Sequence, residues 1–331
     1  MADRQSTEKP DAEQKKLVVR RRRDMDFTPV RNGMDFLLSA FDHLSQREGA
    51  PGARDLKYAV LHLQAAVEVL LKARLIREHW SLVFSDPGKA KRVDYEKGSF
   101  SSCTVLGAVD RLNNIANLQI TKEQRQAITN LADTRNALTH LGHTASVYAV
   151  EAQAALVLDF LLNFIHRELR PALSKEGPFV ETTMDQLRTR LLHIKALVSQ
   201  RSARLEEELK YLVDRTVECP ECGQWAIVLG DEPLSCRFCM KEWDTPNELA
   251  VWYKEVNSGG EIFPCDSCNH YAVVMRAEVA KNRNASTPIC FGCAADYSTW
   301  RRCEICNDSL VHPEQSPQVC SDCEPAADEA Y

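Results

Sequence analysis

The C-terminal third of the chain contains twelve of its 13 cysteines, and all twelve fall into Cys-x-x-Cys pairs. Two intervening residues allow a tight turn that points both thiolates at one ion, and two such turns complete a tetrahedral four-thiolate site. When the pairs combine in order, the loops between them contain 13, 21 and 13 residues, close to the spacing of zinc sites. The six pairs are Cys219/Cys222, Cys236/Cys239, Cys265/Cys268, Cys290/Cys293, Cys303/Cys306 and Cys320/Cys323.

This arrangement predicts about three Zn²⁺ ions per chain. The N-terminus lacks an apolar signal-peptide core, which predicts a cytoplasmic protein, and disulfides are rare in that compartment. Six pairs are also more than one dithiol redox centre requires, which argues against redox pairs. Four thiolates close the coordination shell, so we expect structural rather than catalytic ions. Pairing in order is favoured, although the pairs from Cys265 onward could interleave in a cross-brace instead.

The first two pairs resemble a zinc ribbon. An apolar run, Trp225 to Leu229, is suited to a strand and precedes a Gly230-Asp231 turn between the two pairs. Units of this size cannot build an adequate core without a metal. We therefore expect small, β-rich zinc-binding modules at residues 216–250, 260–300 and 301–325.

Charge is divided unevenly along the chain. Residues 1–23 contain 8 Lys/Arg and 4 Asp/Glu, and we predict a basic, disordered arm at residues 1–29, either a solubilising tail, which we favour, or a handle for a polyanion. Residues 216–331 contain 8 basic and 19 acidic residues, and three four-thiolate zinc centres would bring their net charge to about −17. Because this negative charge repels the phosphate groups of nucleic acids, we expect the partner of this region to be a protein. Local basic residues could still bind nucleic acid: Arg276, Lys281, Arg283, Arg301 and Arg302.

Residues 30–170 have the apolar periodicity of an all-α bundle of four or five helices. Thr121 and Gln124 form a capping-box pattern at the start of the fourth helix, and Gly142 is expected to end it, with His143 in the loop beyond. The most apolar helical segment, 154–165, is interrupted by Asp159 and Asn163 and is too short and polar for a membrane span.

Residues 171–215 are predicted to form a helical connector. From Met184 to Val213 the apolar residues follow a heptad-like seam, which Arg201 and Glu208 interrupt. The pattern fits one further helix, either packed on the bundle or making a short coiled-coil contact.

The fourth predicted helix ends with Arg135, Asn136 and His140. Arginine supplies a permanent charge with forked donors that fit phosphate, and histidine exchanges a proton near neutral pH. Together they provide the two groups that RNA cleavage without a metal requires, a proton-transfer group and a cation that neutralises the phosphate. His140 lies five positions after Arg135, about 140° around an ideal helix, so the two share a face only if the helix tightens or ends there.

The helical body, the order Asp-x-Arg-Asn-x-x-x-His and the apolar helix that follows resemble the HEPN superfamily over about residues 30–170. The resemblance implies a HEPN-like helical bundle, which with the helical connector makes the protein mainly α; the connector and the zinc-ribbon modules themselves lie outside the resemblance. It implies a metal-independent endoribonuclease with Arg135, Asn136 and His140 as catalytic residues, an RNA substrate and a homodimer whose two motifs form one site. Such proteins commonly act as toxins or anti-phage defence effectors. Some have a Tyr two residues after the His, where this chain has Gly142, so regulation through that Tyr is not expected.

A second class of function also fits these features. In it the helical domain binds a nucleotide or RNA, or dimerises, without catalysis, and the zinc modules bind a protein. A pure scaffold has no need for the Arg135, Asn136 and His140 set, and we therefore favour the enzyme.

Overall fold

The computed structural model describes residues 26–45, 50–142, 144–173 and 175–324. Within these ranges helices fill the N-terminal part, and a strand-rich region with the cysteine clusters follows. Residues 1–25 of the predicted basic arm lie outside the described ranges, as does His143. The helices are α1 (Pro29–Leu44), α2 (Ala53–Glu78), α3 (Arg92–Lys97), α4 (Val105–Asn114), α5 (Lys122–His140), α6 (Val147–Phe164), α7 (Gly177–Leu191), α8 (Lys195–Leu209) and α9 (Pro246–Asn257).

Helix α2 is the centre of the helical part and contacts α1, α4, α5 and α6. Its contact with α1 depends on Gly33, where an added Cβ would lie 2.5 Å from Leu70 Cγ. The segment between α2 and α4 folds back onto this core: Phe84 is buried, and its ring stacks on Phe100 at 4.2 Å. This segment is therefore part of the packed helical body.

Helix α6 continues through a π-helical turn, Ile165–Leu169. The stretch Val147–Leu169 is long and apolar enough to cross a membrane, but 56% of its most apolar window is buried inside the structure. It contacts α2, α5 and α8, as expected of a core helix. Asp159 lies within it and is itself buried, which the ion pair described below explains.

The prediction of one helix from Met184 to Val213 is wrong. The chain forms α7 and α8 instead, and the break falls between Leu191 and Lys195. Helix α7 packs on α1, whereas α8 packs on α6. Because the two helices contact different parts of the bundle, the chain turns between them, and Leu191 and Ile194 at the turn are both buried. Both helices pack on the bundle, as the packed-helix alternative predicted.

The strands form a five-stranded antiparallel sheet and a separate two-stranded one. They are β1 (Thr216–Glu218), β2 (Trp225–Val228), β3 (Ile262–Pro264), β4 (Tyr271–Val279), β5 (Asn282–Cys290), β6 (Arg301–Arg302) and β7 (Leu310–Val311). In the larger sheet β4 is central and pairs with β1, β3 and β5, while β2 lies outside β1. The pair Val217 and Val279 joins the strands of the first two predicted zinc modules, which therefore share one sheet.

Candidate metal centres and the helix end with the Arg–His motif

Twelve cysteines form three groups of four, and in each group the sulfur atoms lie within 4.8 Å of one another. The groups follow the chain order, so the in-order pairing is confirmed and the cross-brace alternative is wrong. The first group contains Cys219, Cys222, Cys236 and Cys239, the second Cys265, Cys268, Cys290 and Cys293, and the third Cys303, Cys306, Cys320 and Cys323.

The spacing of the sulfur atoms fits a tetrahedral zinc ion. Zn–S bonds of about 2.3 Å place tetrahedral sulfurs roughly 3.8 Å apart. In the first centre Cys219 Sγ lies 3.9 Å from Cys239 Sγ. In the second, Cys265 Sγ lies 3.6 Å from Cys293 Sγ, and in the third Cys306 Sγ lies 3.8 Å from Cys320 Sγ.

The chemistry of these thiols also suits a cation. Burial raises the pKa of Cys236 and of Cys290, whereas hydrogen bonds with Cys219 and its neighbours lower the pKa of Cys239. Four thiolates this close would repel one another unless a divalent cation lay among them, and a thiol that coordinates a metal loses its proton. The twelve cysteines therefore suit three structural zinc ions, with no ligand position left for His270 or His312.

The second cysteine turn of the first centre receives an arginine from α7. Arg188 Nε donates to the backbone carbonyl of Cys239 at 3.1 Å, and Arg188 Nη2 donates to that of Met240 at 3.0 Å. The Arg188 side chain is only 2% exposed. Its charge is compensated by Glu181, 3.0 Å away, and by Asp185. Helix α7 thus holds the backbone of a metal-binding turn.

A second arginine, from α8, reaches the same turn. Arg201 is fully buried, and its Nη2 donates to the carbonyl of Arg237 at 2.9 Å. Its Nη1 lies 2.5 Å from Asp159 Oδ1 on α6, and its guanidinium stands over the Phe238 ring at 5.6 Å. Arg204 also binds Asp159, with Nε 2.9 Å from Oδ2. These contacts join the first metal centre to the core of the helical part.

Sequence reasoning did not identify Arg188, Arg201 or Asp159 as a functional set. A signal was nevertheless present. Asp159 interrupts the most apolar helix of the chain, and Arg201 interrupts the apolar seam of the connector. Two opposite charges, each at an apolar position, predict a buried ion pair because neither is tolerated in a core alone.

The helix end with Arg135 and His140 is regular. The N–H groups of Leu141 and Gly142 both donate to the carbonyl of Ala137, and Gly142 adopts a left-handed φ of +87°. The predicted capping box at the other end is confirmed, with Gln124 N–H donating to Thr121 Oγ1 at 3.3 Å. Since α5 does not tighten before His140, this residue and Arg135 point about 140° apart around the axis.

The structure brings Arg135 and Asn136 together, with Arg135 Nη1 donating to Asn136 Oδ1 at 3.0 Å. Thr139 Oγ1 donates to the Arg135 carbonyl at 2.7 Å. Among the residues that the structure describes, no hydrogen bond links His140 to Arg135 or Asn136. His140 and Asn136 are exposed, and Arg135 is half-buried.

Three apolar side chains that follow the motif in the chain are exposed. Leu141, which directly follows His140, is 93% exposed, and Tyr148 at the start of α6 is 81% exposed. Val147 is 36% exposed in the same turn as Tyr148. Exposed large apolar residues of this kind are candidates for an interaction surface.

No protein family, curated protein or solved structure matches this chain. The assignment of its activity consequently depends on the residues themselves.

A cleft of about 640 Å³ lies where the π-helical turn and α8 face the segment 230–242, which carries the second cysteine turn of the first centre. His166 lines it, with Nδ1 3.3 Å from Glu242 Oε1. Burial and the charges of Arg170, Arg167 and Arg188 lower the pKa of His166 to about 4. The ring is therefore neutral at neutral pH.

Proposed function

We propose that the protein is a metal-independent endoribonuclease of HEPN type that uses Arg135, Asn136 and His140. The observation that carries this proposal is the end of α5, where Asn136 and His140 are exposed and the half-buried Arg135 donates to Asn136. Within the described residues, no ion pair and no side-chain hydrogen bond to another element accounts for a cation, an amide and an imidazole at this helix end.

Each residue has a defined task in this reaction. The RNA 2′-hydroxyl loses its proton as its oxygen bonds to the adjacent phosphorus, the bond from phosphorus to the 5′-oxygen breaks, and that oxygen takes up a proton, which gives a 2′,3′-cyclic phosphate and a 5′-OH end. His140 accepts the first proton or donates the second. Arg135 neutralises the charge that develops on the phosphate oxygens, and Asn136 orients the Arg135 guanidinium through their hydrogen bond.

The active form in this proposal is a homodimer. Arg135 and His140 point about 140° apart on a regular helix, so one copy does not direct both groups at one phosphate. A second copy brings its own pair to the same place. Leu141, Val147 and Tyr148, which follow the motif in the chain, supply exposed apolar area for that contact.

The zinc-bearing region has a separate role in the proposal. Its ions are structural, and its acidic surface recruits a protein partner rather than the RNA substrate. By analogy with other HEPN ribonucleases we propose that the protein acts in the cytoplasm as a toxin or anti-phage defence effector.

The decisive test uses purified, zinc-loaded protein and total RNA in a mild chelator that scavenges free metal. The proposal predicts fragments with 5′-OH and cyclic-phosphate ends. Absence of cleavage by a protein that is folded, dimeric and zinc-loaded would contradict it. That result would favour a non-catalytic scaffold in which the same apolar surface serves dimerisation and the helical domain binds RNA or a nucleotide.

A further inference from the structure

Three of the eight basic residues in the acidic C-terminal region line one pocket. They are Lys254 on α9, Arg276 on β4 and Arg302 on β6, and the pocket has a volume of about 540 Å³. Arg302 belongs to the third cysteine module and Arg276 to the second, while Lys254 lies on the helix between the first and second cysteine groups. Separate elements therefore bring scarce positive charge to one place.

The loop after α9 makes this convergence possible. Ser258 ends the helix with a left-handed φ of 56°, and Gly260 has a φ of +76°. A Cβ on Gly260 would lie 3.0 Å from Arg276 Cγ, so only glycine lets the Arg276 stem lie across the loop. The Arg276 N–H donates to the carbonyl of Gly259 at 2.8 Å. This bond fixes the strand carrying Arg276 against the loop that follows the Lys254 helix.

The charges in the pocket are only partly compensated. Arg302 forms an ion pair with Glu261, and its guanidinium stands over the Phe263 ring at 5.0 Å. Within the described ranges, Lys254 and Arg276 have no ion-pair partner. The charged residues of the pocket therefore carry two more positive than negative charges, in a region with 8 basic and 19 acidic residues. A protein surface that only needed solubility would not group its few cations in this way.

We propose that this pocket binds the phosphate group of a small ligand such as a phosphate monoester. Two guanidinium groups and an ammonium match the oxygens of a phosphate, and Ser258 lines the same pocket. Glu255 and Asp308 line the adjoining pocket, and these carboxylates oppose an extended polyanion more than a single phosphate. Lys254 and Arg276 contribute most of the affinity because Glu261 already neutralises Arg302.

The test titrates zinc-loaded protein with inorganic phosphate and with adenosine monophosphate, followed by NMR or calorimetry. Arg276→Ala and Lys254→Ala are each expected to weaken binding by roughly tenfold, the effect of losing one charge-assisted contact. Arg301→Ala is the matched control, since Arg301 precedes Arg302 in β6 and is exposed outside the pocket. It is expected to leave binding unchanged. Arg276→Gln repeats the measurement with the side-chain stem retained, in case Arg276→Ala loses zinc.

Three results would overturn the proposal. The first is wild-type protein that binds neither probe at about 10 mM, a concentration at which even weak phosphate sites fill. The second is an Arg301→Ala variant that binds as weakly as Arg276→Ala. The third is pocket-dependent binding of an RNA oligonucleotide much more tightly than the mononucleotide, which would make the ligand a polynucleotide. None of these results depends on ribonuclease activity.

Discussion

Asp159 and Arg201 form a buried ion pair between α6 and α8, with Asp159 Oδ1 2.5 Å from Arg201 Nη1. The arginine is fully buried and the aspartate side chain is 9% exposed. The same guanidinium donates to the Arg237 carbonyl in the first metal-binding turn. One pair thus connects the helix after the Arg–His motif to the first candidate metal centre.

Removing the aspartate should strongly destabilise the fold. Asp159→Ala leaves the Arg201 charge buried without its partner, and losses of this kind cost about 3–5 kcal/mol. The matched control is Asp42→Ala, because Asp42 pairs with Arg190 but is 53% exposed, where ion pairs contribute about 0–1 kcal/mol. Urea unfolding at pH 7 measures both changes. Equal losses of unfolding free energy for the two variants would show that the buried pair stabilises the fold no more than the exposed pair does.

The first and third metal centres should differ in their effect on the helices. Cys236→Ser weakens the turn whose carbonyls accept from Arg188 and Arg201, and the two buried arginines then lose partners. We therefore expect faster hydrogen exchange in α7 and α8. Cys320→Ser, in the small separate core of the third module, should leave those helices protected.

Hydrogen–deuterium exchange read by mass spectrometry follows both helices in each variant. Equal protection of α7 and α8 in the two variants would contradict a specific connection to the first centre.

Metal content is expected to be three zinc ions per chain, because three groups of four cysteines have tetrahedral sulfur spacing. Elemental analysis of protein purified without added metal provides the count. Fewer than two ions per chain would refute the assignment of these groups as zinc centres.

Several features were predictable because they depend on local chemistry. The capping box of Thr121 and Gln124 needs only neighbouring residues, and the cysteine turns need only two intervening positions. The break after Leu191 was not predictable from the apolar seam, which continues through it. Tertiary packing decides that break, because α7 and α8 bury their faces against different helices.

Contacts between distant parts of the chain were the other features that the sequence did not predict. The pairing of Val217 with Val279 joins two segments that each look self-contained in the sequence. Arg188 could not be identified from the sequence because its acceptors are backbone carbonyls of Cys239 and Met240, which any residue type supplies. The composition of the motif at Arg135 and His140 was evident, but their separation around α5 required knowing where the helix ends.

Stability should fall in mild acid because of His166. Its pKa is about 4 in the folded protein and about 6.5 when unfolded, so below about pH 6.5 the unfolded state binds the proton more readily. Lowering the pH from 7 to 5.5 should therefore reduce the free energy of unfolding by roughly 1 kcal/mol through this histidine. His166→Gln should lack that part of the pH dependence. The exposed His193, changed to Gln, is the control.

Urea unfolding at the two pH values gives the comparison, with zinc content checked at each. If wild type and His166→Gln lose the same unfolding free energy between pH 7 and 5.5, the histidine is not held neutral by burial.

The account is tested most directly by RNA cleavage in a mild chelator by wild type, His140→Ala and Arg135→Ala. Loss of the proton-transfer group should lower the rate by roughly 10² to 10⁴. Arg135→Ala should do as much, and Arg135→Lys should not fully restore the rate because lysine keeps the charge but not the forked geometry. His193→Ala and Arg125→Ala, the latter on the same helix, should cleave like wild type with unchanged helicity and zinc content. Cleavage that survives in both His140→Ala and Arg135→Ala, or that wild type performs only with added divalent metal, would contradict the account.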